Sequence, residues 1–136
     1  MEKWQEVFEN KIPKAQYEIL LENGEEKGLI INLISARCKV QLDFGAVTAF
    51  RMLDEGIALN NLFKDEHVEH FRKIGFANVI YQVTGGEFDS FVKQIGDSLY
   101  EYLELKHYVI ISKNYIVEII TEWEPDIKKI VSVIED

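Results

Sequence analysis

Four side chains in this sequence could bind a transition metal or act as a nucleophile or base: three histidines and one cysteine. His67 and His70 are three residues apart, so both imidazoles would lie on one face of a helix. A zinc site takes three or four ligands, and the sequence has no HExxH motif that would supply more of them. We therefore interpret the pair as part of a solvated helix face and predict no metal site.

Cys38 and His107 are the remaining two of these residues. Cys38 lies on the apolar face of a predicted strand, where a thiol behaves as a small hydrophobic side chain. His107 begins a predicted strand and could act as a general base, but no serine or cysteine nucleophile accompanies it. We therefore predict a structural role for His107, and no catalytic residue and no cofactor for the chain.

Two glycine-containing motifs match known functional patterns only in part. The tripeptide at 43–45 is Asp-Phe-Gly, as in protein kinases, but the chain is too short for a kinase and lacks the glycine-rich loop. Thr-Gly-Gly at 84–86 precedes a predicted helix, where a phosphate could bind. Glu87 and Asp89 would repel an anion there, and no phosphate-binding motif is present. We interpret both motifs as turns.

Arg51 stands at the polar end of a predicted strand, followed by Asp54, Glu55 and Gly56. It could pair with Asp54, with Glu55 or with a carboxylate elsewhere in the chain. We interpret it as part of an edge salt bridge, which typically contributes less than about 1 kcal/mol.

The segment 87–104 carries five acidic residues and one basic residue, Lys93. Charges around an interface steer association, and tyrosine is a favoured anchor residue. A solvated helix face that keeps the protein soluble would have the same pattern. The segment is nevertheless our predicted partner-binding surface, with these residues: Glu87, Asp89, Asp97, Tyr100, Glu101, Tyr102 and Glu104.

Length and charge limit the classes of function. The chain has 136 residues, which suits a single domain over 1–136, and 47% of them are hydrophobic. Its 24 acidic and 15 basic residues give a net charge of −9, which disfavours binding to nucleic acid or to an anionic membrane. The start is charged and no apolar run is long enough to cross a bilayer, so we expect a cytoplasmic protein.

Alternating polar and apolar residues predict seven strands, at 16–22, 28–34, 37–44, 46–53, 78–83, 108–112 and 115–121. The first two should form a hairpin around Asn23 and Gly24, and the last two a hairpin around Lys113 and Asn114. The strand 46–53 is expected to fold back against 37–44 after Gly45. Such short connections leave no room for crossover helices, which disfavours a doubly wound parallel sheet.

Helical spacing predicts a helix at 87–104, whose apolar face contains Phe88, Phe91, Val92 and Ile95. A second helix is predicted from Ile127 to Ile134, behind Pro125, and a shorter one at 65–73. Trp4, Val7 and Phe8 suggest a fourth. The predicted fold class is α+β: a mostly antiparallel sheet of about six or seven strands, with helices packed on one face.

The segments 47–56, 105–114 and 117–125 resemble segments of small uncharacterised bacterial proteins, some of which look like immunity partners of polymorphic toxins. The similarity lies in strand and turn residues and includes no catalytic signature. The resemblance implies a bacterial protein whose role is to bind another protein rather than to catalyse a reaction.

Three functions follow as hypotheses. The preferred one is a binding module that engages a basic protein partner, such as a toxin domain, through its acidic surface. The alternative is a small-molecule-binding domain or minor enzyme, with a pocket between sheet and helix lined by Phe88, Phe91, Tyr81 and Tyr108. The third is a homodimer formed through an exposed strand such as 115–121.

Overall fold

The computed structural model of the protein describes residues 3–55, 79–96 and 103–130. In these ranges the elements are β1 Lys3–Glu6, β2 Glu18–Gly24, β3 Gly28–Ile34, β4 Lys39–Gly45, β5 Ala49–Asp54, β6 Ile80–Thr84, α1 Glu87–Gly96, β7 Lys106–Ile111, β8 Tyr115–Thr121 and β9 Asp126–Ile130. All paired strands are antiparallel. The prediction of a mostly antiparallel chain of the broad α+β class is confirmed.

The strands form two sheets rather than the predicted single sheet. The five-stranded sheet has the order β1-β6-β7-β8-β5, and the four-stranded sheet has the order β2-β3-β4-β9. The predicted pairing of 46–53 with 37–44 is wrong, because β5 crosses to the other sheet and pairs with β8. On its other side, β4 pairs with β9. The alternation of residues in a strand identifies its buried face but not its neighbour, which explains the error.

One hydrophobic core lies between the two sheets. From the four-stranded sheet it receives alternate residues such as Leu42 and Phe44, and from the five-stranded sheet Tyr108 and Ile110. The rings of Phe44 and Tyr108 have centroids 5.9 Å apart. Burial, with a smaller contribution from Glu124, raises the pKa of Tyr108 to about 12. Both hairpins predicted from the sequence, β2–β3 and β7–β8, are confirmed.

The β2–β3 hairpin closes against the end of β4 through two glycines. Gly28 has φ +73°, and a Cβ atom there would lie 2.2 Å from the carbonyl carbon of Gly45. The register of β3 against β4 shifts at this point, between Leu29 and Ile30. Only a residue without a side chain allows the two backbones to approach so closely.

Two predicted helices are strands in the structure. The segment with Trp4 forms β1, which pairs with β6 so that Trp4 lies opposite Val83. The segment after Pro125 forms β9, where Ile127 pairs with Leu42. Apolar residues three apart fit a helix locally, but pairing with a sheet edge satisfies the backbone and half-buries Ile127. The remainder of that prediction, 131–134, and the predicted helix at 65–73 lie outside the described residues.

Helix α1 confirms the first part of the helix predicted at 87–104. Phe88 and Val92 pack with Ile120 of β8, whereas Phe91 and Ile95 are exposed, so the predicted apolar face is only half buried. Residues 97–102 lie outside the described ranges, and residues 103 and 104 are not helical. The packing of several helices on one face stays a prediction. No helix in the part of the chain that the structure describes is long and apolar enough to cross a membrane.

Candidate functional site

Three polar residues, Arg51, His107 and Glu118, form a buried ionic cluster on the face of the five-stranded sheet opposite the shared core. Arg51 lies directly across from Glu118 in the β5–β8 register. His107 pairs with Ile120, which places it diagonally across from Glu118. Because alternate residues of a strand point to the same face, these registers bring the three side chains together.

Glu118 is the centre of this cluster. The Nε2 atom of His107 lies 2.8 Å from Oε1 of Glu118, and because an ionised carboxylate can only accept, Nε2–H is the donor. The Nε–H group of Arg51 donates to the other oxygen, Oε2. Glu118 is 1% exposed and His107 is 2% exposed. A carboxylate taken out of water to this extent requires such partners.

Arg51 connects the cluster to helix α1. Its Nη2 atom donates to Oε1 of Glu87 at 2.8 Å, and its guanidinium carbon lies 4.4 Å from the centroid of the Phe88 ring. Burial lowers the pKa of Arg51, but the hydrogen bonds that its guanidinium donates to Glu118 and Glu87, and the negative charges of these two carboxylates, outweigh burial, so the pKa is raised and the cation is retained. One arginine therefore holds the first turn of α1 against β5 and β8.

Gly86 covers the remaining nitrogen of His107. Among the described residues, Nδ1 is buried without a hydrogen-bond partner. A carboxylate that orients an imidazole occurs in catalytic triads, where the free nitrogen reaches the reacting group. Here a Cβ atom on Gly86 would lie 2.7 Å from Nδ1, so the nitrogen faces backbone. The cluster therefore positions α1 through Arg51, while the His107 side chain is 1% exposed.

Replacing Gly86 with alanine should lower the free energy of unfolding by about 1–3 kcal/mol, because the added methyl group overlaps a ring that Glu118 holds in place. Urea denaturation measures this change. In a His107→Ala background the same substitution should cost less, since the ring is gone. Equal costs in both backgrounds would contradict the contact.

Three residues of the predicted partner-binding surface, Glu87, Asp89 and Glu104, are described by the structure, and each has different contacts. Glu87 is engaged by Arg51, although its side chain remains 62% exposed. Asp89 pairs with Lys93 in the next turn at 3.1 Å. Glu104 is exposed. The other four members of the prediction, Asp97, Tyr100, Glu101 and Tyr102, lie outside the described residues.

The other candidate residues have clear positions. Arg51 pairs with carboxylates elsewhere in the chain rather than with Asp54 or Glu55, and the pairing with Glu118 is buried rather than at an edge. Cys38 is buried as predicted, with its sulfur 3.4 Å from the hydroxyl of Tyr17. His67 and His70 are outside the described ranges. Within those ranges, no group of three or more ligand-type side chains is placed to hold a metal.

The predicted small-molecule pocket is not formed by the residues named for it. Tyr108 belongs to the core between the sheets, whereas Tyr81 packs with Trp4 on the opposite face of the five-stranded sheet. Phe91 is 49% exposed. The strand proposed for a homodimer is also unsuitable, because β8 is paired on both sides.

A second acidic segment, which the sequence analysis did not single out, lies on the β2–β3 hairpin. We call it the acidic hairpin, and its carboxylates are Glu18, Glu22, Glu25 and Glu26. All four are exposed, and none has an ion pair within the described residues. The signal was present in the sequence, where 18–28 contains four acids and one base, Lys27. We interpreted these residues only as the polar half of a strand pattern.

No protein-family model matches the chain, and the comparisons with curated proteins and with solved structures find no match. The resemblance of 47–56, 105–114 and 117–125 to small bacterial proteins therefore stays an expectation.

Proposed function

We propose that this protein is a non-catalytic binding module that engages a basic protein partner through its acidic surface. The observation that carries the proposal is the acidic hairpin, whose four exposed carboxylates form no ion pair among the described residues and outnumber the single base of the segment, Lys27. The net charge of −9 adds a long-range attraction for cationic surfaces. Glu104, which is also exposed, is a further carboxylate of the surface.

The most concrete partner is a basic toxin domain such as a nuclease, and the protein would then act as its immunity partner in a bacterial cytoplasm. A nuclease binds phosphates in a cationic groove. Carboxylates placed where the phosphates lie would occupy that groove and exclude the substrate. The buried ionic cluster supports this role indirectly, because it fixes helix α1 to the sheet. Helix α1 begins the acidic segment 87–104.

The experiment is a comparative pull-down from the native host at low and at physiological ionic strength. The bait is the tagged protein, and the control bait carries glutamine at all four acidic-hairpin positions. We expect a basic protein that the wild type retains at low salt and the control retains less well, and whose toxicity co-expression of the wild type suppresses. Retained proteins that are not basic, or equal retention of a basic partner by both baits, would count against the proposal.

A further inference from the structure

Strand β2 forms one edge of the four-stranded sheet. Within the described ranges it hydrogen-bonds to β3 alone, over seven residues that span roughly 23 Å. The outer side of an edge strand presents backbone N–H and C=O groups that can pair with another strand. Of the four edge strands in the described sheets, β2 is the longest, with seven residues, and it leads into the acidic hairpin turn.

The side chains along this edge specify what kind of strand would fit. Glu18, Leu20 and Glu22 alternate along β2 and therefore lie on the same face of the sheet. Leu20 is 50% exposed, which is unusual for a large apolar residue flanked by charges. An added strand with a cation, an apolar residue and a cation at alternate positions would match all three side chains.

A cavity of about 340 Å³ continues the edge at the hairpin turn. Its lining includes three acidic residues, Glu22, Glu25 and Glu26, one basic residue, Lys27, and the apolar Ile30. Lysine and arginine bury their aliphatic stems against apolar surface while the charged head stays near polar groups. With three acids against one base in its lining, the cavity has a net negative charge and room for one long basic side chain at the end of the added strand.

We infer that β2 is the docking edge for an extended basic segment of the partner protein, which adds to the four-stranded sheet as a further antiparallel or parallel strand. Backbone hydrogen bonds supply the attachment, and the alternating side chains supply the selectivity. The inference rests on the proposed function and names its binding surface. A second copy of β2 fits poorly, because antiparallel pairing centred on Leu20 places Glu18 opposite Glu22 of the other copy.

The test uses a blocked synthetic peptide with the core Lys-Val-Leu-Val-Lys, labelled for fluorescence anisotropy. Two further peptides carry N-methyl groups on the amides of one edge or of the other, which removes the donors of that edge but keeps the charge. We expect the unmodified peptide to bind, one N-methylated form to bind at least about tenfold more weakly, and the other to match the parent. Amide exchange should slow in β2 when the peptide is added.

The protein variants are Glu22→Lys and, as a control with the same change in charge, Glu9→Lys. Glu9 is exposed and lies in the connection between β1 and β2, outside the acidic hairpin. We expect Glu22→Lys to weaken peptide binding by about tenfold and Glu9→Lys to change it by less than about twofold. Circular dichroism and thermal unfolding establish that both variants are folded.

Three outcomes would overturn the inference. Salt-dependent binding that neither N-methylated peptide weakens would exclude strand addition and leave the acidic-surface function standing. The third possible occupant of the β2 edge is strand β9 of a second copy, which forms the other edge of the four-stranded sheet and contains Lys128. If the protein self-associates and Lys128→Glu abolishes this association, the occupant is a second copy rather than a basic partner. Failure of every basic peptide to bind at low salt would contradict both the docking edge and the proposed function.

Discussion

Replacing Arg51 with methionine is expected to lower the free energy of unfolding by roughly 3–5 kcal/mol. The substitution keeps an aliphatic side chain on β5 but removes the guanidinium, which lies over the Phe88 ring and beside Glu118, a residue that is 1% exposed. Removing one partner of a buried pair costs this much because Glu118 then keeps only the hydrogen bond from His107 in a poorly polarisable environment. If Arg51 formed only an edge salt bridge, as the sequence predicts, the pair would contribute less than about 1 kcal/mol to the free energy of unfolding.

Urea denaturation of three proteins distinguishes these values: Arg51→Met, Glu118→Gln and the double variant. If the penalty comes from the buried carboxylate, the double variant should be more stable than the sum of the two single effects predicts, since no buried anion remains. Strict additivity would mean that Arg51 and Glu118 are energetically independent. A cost below 1 kcal/mol for Arg51→Met would contradict the buried ionic cluster as a stabilising unit.

Replacing Gly28 with alanine is the second large effect, with an expected loss of roughly 2–5 kcal/mol. A non-glycine residue at φ +73° costs about 1–2 kcal/mol from its own backbone strain. The new methyl group would also lie 2.2 Å from the carbonyl carbon and 2.3 Å from the carbonyl oxygen of Gly45. Overpacking of this kind typically costs a further 1–3 kcal/mol, because backbone atoms rather than a flexible side chain must move.

Two other glycines serve as matched controls for this prediction. Gly45 also has a positive φ, +65°, but a Cβ atom there would meet nothing within 4 Å, so Gly45→Ala should cost only about 1–2 kcal/mol. Gly24 has open space and no positive φ, so Gly24→Ala should be nearly neutral. Thermal unfolding of the three variants tests the predicted order of stabilities, in which Gly28→Ala is the least stable and Gly24→Ala the most stable. A Gly28→Ala variant as stable as Gly45→Ala would show that the close approach of β3 and β4 is not a constraint.

The sequence predicted strands well where one face is buried and the other is polar. The alternation from Lys39 to Phe44 and the two hairpins were found because period and turn residues are local signals. The partner of β5 and the strand nature of β1 and β9 were missed, because they depend on which distant edge is available. Ile127 illustrates the point: its spacing from Ile130 suits a helix, but pairing with Leu42 decides its structure.

The buried ionic cluster was only partly predictable. The sequence indicates Arg51 and His107 as candidate polar residues, but it does not indicate that Glu118 is their common partner. Glu118 lies in a mainly apolar strand and follows the pattern of that strand. A single acid within such a run is the signal that could have identified it, since a buried carboxylate requires a cationic or donor partner. Which cation it meets depends on the registers of β5 and β7 with β8, and these are not encoded locally.

The order of strands in the five-stranded sheet also constrains how the chain folds. Strands β2, β3 and β4 are consecutive, so this meander can form from local contacts as soon as residue 45 is available. Strand β1 must wait much longer, because Trp4 pairs with Val83 and the intervening meander belongs to the other sheet. Closing such a long loop slows folding and leaves the apolar edge of β6 uncovered in the meantime. During synthesis, β1 is therefore made before β2, β3 and β4 but reaches its native partner after them.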